Sequence, residues 1–418
     1  MSKKAKLAAT LVITILLSSC RSNYATIERN SHTYSDSAFI GYLKSEGIAI
    51  IPNNNVTVLN GAEMKFDSLL ADIEKAKHHI HLEYFNFRND SINKVLITAL
   101  ARKAKEGVEV RALFDSFGNI SNNSPLKKSD LKAIKEQGIE IVEFDPITFP
   151  WLNHVLSRDH RKLVVIDGVK AYIGGINVAD YYLKGIDGVG QWRDIHARVE
   201  GEAVDTLQKI FIDMWQKETG QHLNVNYYTP KHKPNNNTNI AVIDRWPRKT
   251  PSRMRDAYAN AINSAKENII IINPYFIPMP KVRKAIEKAI DEGVEVTLLL
   301  SSKGDVKMIP HGVWRVGYQL MKRGAKVYIY DQGFNHAKVM CIDGKFCTIG
   351  SANLNSRSLR YDYETNIFIF GQEETKELQH YIELDKQKST ELTEEIYKAR
   401  CWWSRLCGLL VTLATPFI

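Results

Sequence analysis

The stretch "HRKLVVIDGVKAYIGGIN" that begins at His160 returns as "HAKVMCIDGKFCTIGSAN" at His336. In both, a Lys follows the His by two positions, an Asp follows that Lys by five, and an Asn falls seventeen after the His. A repeat on this scale constrains the fold before any single element does. Its surroundings repeat in the same order. "IEKAKHHIHLEYFNF" from Ile73 is echoed by "INSAKENIIIINPYFIP" from Ile262, "KAKEGVEVRALFDS" from Lys103 by "KAIDEGVEVTLLLSS" from Lys288, and "EQGIEIVEFD" from Glu136 by "KRGAKVYIYD" from Lys322.

Each half reads as alternating helix and strand, closed by a hairpin that carries the repeated motif. Phe66, Leu69, Leu70, Ile73 and Ala76 fall on one helical face. Gly107 and Gly293 stand where helices end before strands. The strands "VEVRALF" and "VEVTLLL" are short and continuously apolar, which suits a sheet covered on both faces. Hydrophobic residues at 44% and charged residues at 25% allow a core of that size. The expected fold class is α/β: a duplicated sandwich whose two pseudo-twofold halves share one active site. The expected boundaries are a leader (1–20), a linker (21–55), a first half (56–226), a polar linker (227–239), a second half (240–395) and an aromatic, apolar tail (396–418).

On a strand, residues two apart share a face, so His160 points with Lys162 and His336 with Lys338. The returning strands bring Asn177 back beside the first pair, and Ser351 and Asn353 beside the second. Two imidazoles, two ammonium groups and two amides suit a phosphodiester. The cations and amides hold the charged phosphoryl oxygens. One His attacks phosphorus and the other protonates the departing alkoxide, because imidazole titrates near neutral pH. Each His needs an orienting group, and Asp194 and Glu364 lie downstream in matching contexts. Asp167 and Asp343 belong to the motif, but their odd spacing from the histidines gives them an indirect role as turn residues.

The doubled HxKxxxxD, followed by GGxN and GSxN, resembles the phospholipase D superfamily. The strings "WRDIHARVEG", "NPYFIP" and "NHAKVMCIDGKFCTIGSANLNSRSLRYDYETNIFI" are similar to those of bacterial cardiolipin synthases, and the likeness runs from about Val56 to the C-terminus. The resemblance implies a cofactor-free, metal-independent ping-pong reaction through a phosphohistidine. One phosphatidylglycerol gives its phosphatidyl group to the enzyme and releases glycerol; a second accepts it, giving cardiolipin. It also implies catalytic roles for His160, Lys162, Asp167, His336, Lys338 and Asp343. Asn177, Ser351 and Asn353 would bind phosphate, and Asp194 and Glu364 would orient the histidines. By position His160 would be the nucleophile and His336 the general acid/base, and the pseudo-symmetry leaves the reverse assignment open. Water as acceptor would make the same site a phospholipase D-type phosphodiesterase, and a nuclease or an inactive membrane scaffold are more distant alternatives.

The ends of the chain bear on partners. The net charge of +9 favours polyanions or anionic membranes. "MSKKAKLAATLVITILLSSC" reads as a secretory signal whose Leu17 to Cys20 resembles a lipobox, with Cys20 as the lipidation site. The tail "RCWWSRLCGLLVTLATPFI" sets Trp402 and Trp403 beside Arg400 and Arg405, a pattern suited either to a membrane interface or to packing on the protein's own core. The expected partners are therefore phosphatidylglycerol, other anionic phospholipids and a membrane surface, with no nucleic acid. The expected location is the bacterial inner membrane, with the body on the periplasmic side. Cys341 and Cys347 flank a turn, as a hairpin disulfide or as buried thiols, and His78, His79 and His81 read as a strand entry and not as metal ligands.

Overall fold

The computed structural model describes residues 36–149, 156–233 and 237–417. The leader, with Cys20, lies outside the described residues. The first half contributes β1 (Ile50–Asn60), β2 (His79–Tyr84), β3 (Glu109–Asp115), β4 (Glu140–Phe144), β5 (Lys162–Ile166), β6 (Lys170–Gly174), β7 (Gln191–Arg193) and β8 (Ile195–Gly201). The second contributes β9 (Thr238–Arg245), β10 (Asn268–Ile272), β11 (Glu295–Ser301), β12 (Lys326–Tyr330), β13 (Gly333–Asn335), β14 (Val339–Ile342), β15 (Phe346–Gly350), β16 (Glu364–Phe370) and β17 (Ser389–Glu391).

Fifteen of these strands make one sheet, in the order β4-β3-β2-β5-β6-β8-β1-β9-β16-β15-β14-β10-β11-β12-β17. The order is a palindrome about the β1–β9 pair, with β17 as the strand that has no counterpart. The two halves are therefore one continuous sheet related by a pseudo-twofold axis. Helices cover both faces, as the apolar strands require. Phe66, Leu69 and Ile73 of helix Ala62–Lys75 are fully buried on the first half. Helix Ala203–Thr219 of the first half also lies on β9, and helix Gln372–Lys386 of the second lies on β1, so the covering layers interlock across the centre.

Two features differ from the sequence reading. β1 starts at Ile50, within the stretch read as linker, and contains "PNNN". The polar residues are accommodated by a bulge between Ile51 and Asn54, where Asn53 takes a positive φ. Asn54 is buried and satisfied: its amide donates to the Ile51, Pro52 and Thr238 carbonyls, and its oxygen accepts from Ala203 N. Helix Asp36–Ser45, also within that stretch, packs on helix Arg253–Ser264. Cys341 and Cys347 face each other in the β14–β15 ladder as buried free thiols. His79 and His81 hydrogen-bond to the two ends of Gln208, at 2.8 Å each.

The motif aspartates sit at the far turns of the β5–β6 and β14–β15 hairpins, remote from the histidines. Asp167 adopts φ 54° and accepts from the backbone N–H groups of Lys77, His78 and His79. Asp343 adopts φ 51° and accepts from those of Lys266, Glu267 and Asn268. Each carboxylate ties a hairpin turn to the start of β2 or β10, so neither joins the His–Lys cluster. Asp343→Ala strands three donors and is expected to lower unfolding free energy by about 2–3 kcal/mol. The folded fraction should keep measurable turnover, as read by denaturant melts and by activity at low temperature.

Candidate active site

The two histidines are placed by a pair of short parallel bridges between the halves. Asp159 bridges Tyr363; His160 N donates to the Tyr363 carbonyl at 3.0 Å, and Tyr363 N to the Arg158 carbonyl at 2.8 Å. This sets the side chain of the next residue, Glu364, against the ring, with His160 Nδ1 2.9 Å from Glu364 Oε1. The other bridge is β7 with β13. There His336 N donates to the Arg193 carbonyl at 2.6 Å, and His336 Nδ1 lies 2.7 Å from Asp194 Oδ2. Each His is thus held by the carboxylate of the opposite half. Ionised Glu364 only accepts, so His160 Nδ1 carries the proton and its Nε2 is left for chemistry.

A buried ionic layer fixes the bridges. Arg158 Nε bonds both Asp115 oxygens, at 3.1 and 3.0 Å, while Asp115 also accepts from the Asp159 and Gly118 amides. Arg161 reaches Glu83, Asp244 and Thr365. On the other side, Asp385 takes both Arg193 Nε contacts at 3.0 Å and the Asn335 amide at 3.2 Å. These arginines surround the motif in the sequence but carry no repeat of their own.

The lysines lie on the histidines. Lys162 Nζ is 2.5 Å from the His160 carbonyl; Lys338 Nζ is 2.5 Å from the His336 carbonyl and 3.0 Å from His336 Nδ1. Burial pushes Lys162 down to about 8 and Lys338 down to about 7, against the pull of both Asp194 and Glu364 on each. Charges from both halves therefore act on one cluster. Burial also lowers His160 and His336.

The two dyads are not equivalent. Ser351 donates its hydroxyl to Glu364, and its counterpart in the first motif is Gly175. A Cβ at Gly175 would fall 2.3 Å from Asp194 Oδ1, so the shorter carboxylate occupies the space a side chain would need. The electrostatics follow. Burial raises Glu364, but the charge and hydrogen bond of His160, Lys162 and the Ser351 hydroxyl bring it below its ordinary value. Burial pushes Asp194 up to about 7, against Lys338. Burial thus favours the uncharged forms of Asp194 and His336, while the lowered Glu364 favours an ionised carboxylate behind His160.

Asn177 accepts from Asn86 N and donates to the Tyr182 hydroxyl, both at 3.1 Å. Asn353 is buried, and among the described residues its side-chain oxygen has no partner. The sequence reading missed several neighbours. The Tyr182 hydroxyl lies 3.4 Å from His336 Nδ1 and 3.2 Å from the Gly175 carbonyl. Trp192, Phe334 and Tyr275 surround the His336 ring, and Phe85 meets the His160 ring edge-on at 5.0 Å. Arg245, opposite Glu364 in the β9–β16 ladder, is buried with Nε and Nη2 unpartnered among the described residues. Tyr275 and Phe85 lie in the repeated "NPYF" and "LEYF" segments, which was the available signal; Tyr182 and Arg245 have no repeat to mark them. Among the described residues, no three His, Cys, Asp or Glu side chains are grouped to ligate a metal.

Fold and site together define a duplicated phosphodiester-handling protein with one His–Lys pair per half. Residues 69–215 and 258–386 match the family model described as cardiolipin synthase, PLD-like domain. A cardiolipin synthase of Listeria monocytogenes serotype 4b (strain CLIP80459) is 35% identical over 380 residues, 90% of this chain and 78% of that protein. The major cardiolipin synthase of Bacillus subtilis (strain 168) is 36% identical over 369 residues, 88% of this chain and 76% of that one. The phosphatidylserine synthase of Haemophilus influenzae Rd KW20 superposes with a TM-score of 0.68 at 13% identity, over 88% of this chain and 97% of its own, which shows the shared fold. The chain belongs to the cardiolipin synthase family of PLD-like proteins.

Two substitutions test the geometry. Gly175→Ala drives a methyl into Asp194 and is expected to lower turnover about a hundredfold, since an ångström of misplacement has that effect. Lys338→Met removes a cation whose burial is unfavourable. With its folded value near 7 and its unfolded value near 10.5, the unfolded chain binds the extra proton between them, so the penalty is full below about 7 and fades as pH rises to about 10.5. The melting temperature of the variant minus that of the native protein should therefore fall steadily from pH 7 to pH 10, while turnover is lost throughout.

Proposed function

We propose that the protein is a phosphatidyltransferase that makes cardiolipin from two molecules of phosphatidylglycerol. The observation that supports this most strongly is the pair of crossed His–carboxylate dyads on one seam, in a chain of this family. His160 Nε2 attacks phosphorus, and the P–O bond to the glycerol headgroup breaks. His336, protonated at Nε2, gives that proton to the departing alkoxide, so glycerol leaves neutral. The hydroxyl of a second phosphatidylglycerol then attacks the phosphohistidine; His336 takes its proton back, the P–N bond breaks, and His160 is restored. Lys162, Lys338, Asn353 and the Asn177 region hold the phosphoryl oxygens through both steps.

The asymmetry of the dyads supports these roles. Ionised Glu364, fixed by Ser351, steadies the positive charge of a phosphorylated His160. Asp194, raised to about 7 beside the His336 ring, suits a pair that must donate a proton and then accept one. Substrate and product are bilayer lipids, so the protein works at a membrane, and a leader with Cys20 as lipid anchor on the periplasmic side of the inner membrane fits that arrangement. The phosphodiesterase alternative differs only in letting water be the acceptor. Incubation with phosphatidylglycerol vesicles separates the two: cardiolipin and glycerol are expected, and phosphatidic acid as the main product would contradict the transferase reading. His160→Ala and His336→Ala should each reduce turnover at least about a thousandfold in folded protein. Turnover should persist in EDTA.

A further inference from the structure

Helix Trp402–Leu413 has two apolar faces. Cys407, Gly408 and Val411 are buried against helix Ile309–Met321, and the approach is close because glycines stand at the contact. A Cβ on Gly408 would fall 2.6 Å from the His311 carbonyl, and one on Gly312 would fall 2.3 Å from Val411 Cγ1. The packing is tight enough to hold the helix in place. Its other face carries Trp402, Trp403, Leu409, Leu410 and Leu413, exposed by 68%, 56%, 37%, 49% and 70%. At 100° per residue these five fall within one stripe about 120° wide, opposite the buried face. So large an apolar stripe, fixed outward, calls for something to cover it.

The stripe lies at the catalytic end of the sheet. β2 pairs its last residue, Tyr84, with Lys162, and β10 pairs Ile272 with Val339, so the C-terminal ends of β2, β3, β4, β10, β11 and β12 all lie at the edge where the histidines stand. The segments leaving those ends carry Ile120, Phe149, Leu156, Val306 and Met308, each more than 40% exposed. Met308 is followed directly by the helix on which the tail packs. The Tyr361 hydroxyl donates to the Pro416 carbonyl at 3.3 Å, three residues before Glu364. Ten of the fifteen large apolar side chains exposed among the described residues thus belong to the tail helix and the segments at this end.

Charge names the occupant. Past Glu395 the chain has no acidic side chain; Arg405 is exposed on the helix, while Arg400 lies over Trp314 and Lys398 pairs with Glu394. A paired Trp at one end, leucines along the stripe and cations beside them are the components of a helix lying in a bilayer interface. No helix among the described residues is long and apolar enough to cross a membrane. Resting on the lipid substrate class proposed above, we propose that the outer face of helix Trp402–Leu413, with the loops at the catalytic end of the sheet, seats on an anionic bilayer and opens the His160–His336 seam toward it.

The test uses the full chain reconstituted in phosphatidylglycerol vesicles containing acyl-brominated lipid, so that any leader anchor is common to all samples. Tryptophan fluorescence should be quenched, and the Trp402→Phe/Trp403→Phe variant should show at least about threefold less quenching. Equal quenching in both overturns the proposal. A second variant, Leu410→Glu/Leu413→Glu, changes only exposed side chains. It should lose at least about tenfold in turnover on vesicles yet match the native protein on monomeric short-chain phosphatidylglycerol. Unchanged turnover on vesicles contradicts the docking face, and so does a loss of self-association by sedimentation in that variant, which would assign the stripe to a second copy of the chain. Failure of the native protein on the monomeric lipid counts against the phosphatidyltransferase reading; the quenching comparison decides the docking face independently.

Discussion

Each catalytic-end histidine is hydrogen-bonded to a carboxylate of the other half of the molecule, and the rest of the structure is arranged to keep that crossing in register. An imidazole beside a carboxylate of its own half would need nothing but a local turn. Here Glu364 reaches His160, and Asp194 reaches His336, so neither half is complete alone. The short bridges Asp159–Tyr363 and β7–β13 deliver each carboxylate one residue past a backbone hydrogen bond. The continuous sheet keeps those bridges from sliding, because a slip of one residue would turn every side chain to the wrong face.

Crossing has an electrostatic consequence. Two lysines, two histidines and two carboxylates are buried together, and burial alone disfavours every charge among them. The cluster is tolerated because opposite charges from the two halves interleave. What remains unbalanced becomes chemistry: lysines held near neutrality, a carboxyl at Asp194 raised to about 7, and a Glu364 that stays ionised. The difference between Gly175 and Ser351 breaks the symmetry that duplication supplied, so that equivalent histidines face carboxylates shifted in opposite directions. Such a site is destabilising by design of its function, and the surrounding aromatic and arginine layers compensate for it.

Much of this was legible beforehand. The repeat marked the halves, and its internal spacing placed His160 with Lys162 and His336 with Lys338. The contexts of Asp194 and Glu364 marked them as orienting groups. The crossing was not legible, because spacing along a chain does not say which of two similar halves a strand end will meet. Tyr182, Trp192 and Arg245 were missed for a related reason: they reach the site through tertiary approach and not through the repeat. β1 was hidden by its own polarity, since a run of asparagines reads as a loop in sequence although Asn54 is buried and satisfied by carbonyls. Asp167 and Asp343 were assigned their turn role from their parity with the histidines, and the structure shows the three amides each one holds.

The central statement is that the hydrogen bonds run between halves. A double-mutant cycle on stability tests it without requiring turnover. His160→Ala combined with Glu364→Gln, measured in denaturant melts of the full chain, should show a coupling of about 1 kcal/mol or more, whereas His160→Ala with Asp194→Asn should be additive within about 0.5 kcal/mol. Strong coupling of His160 to Asp194, with none to Glu364, would show each histidine held within its own half and would contradict the account.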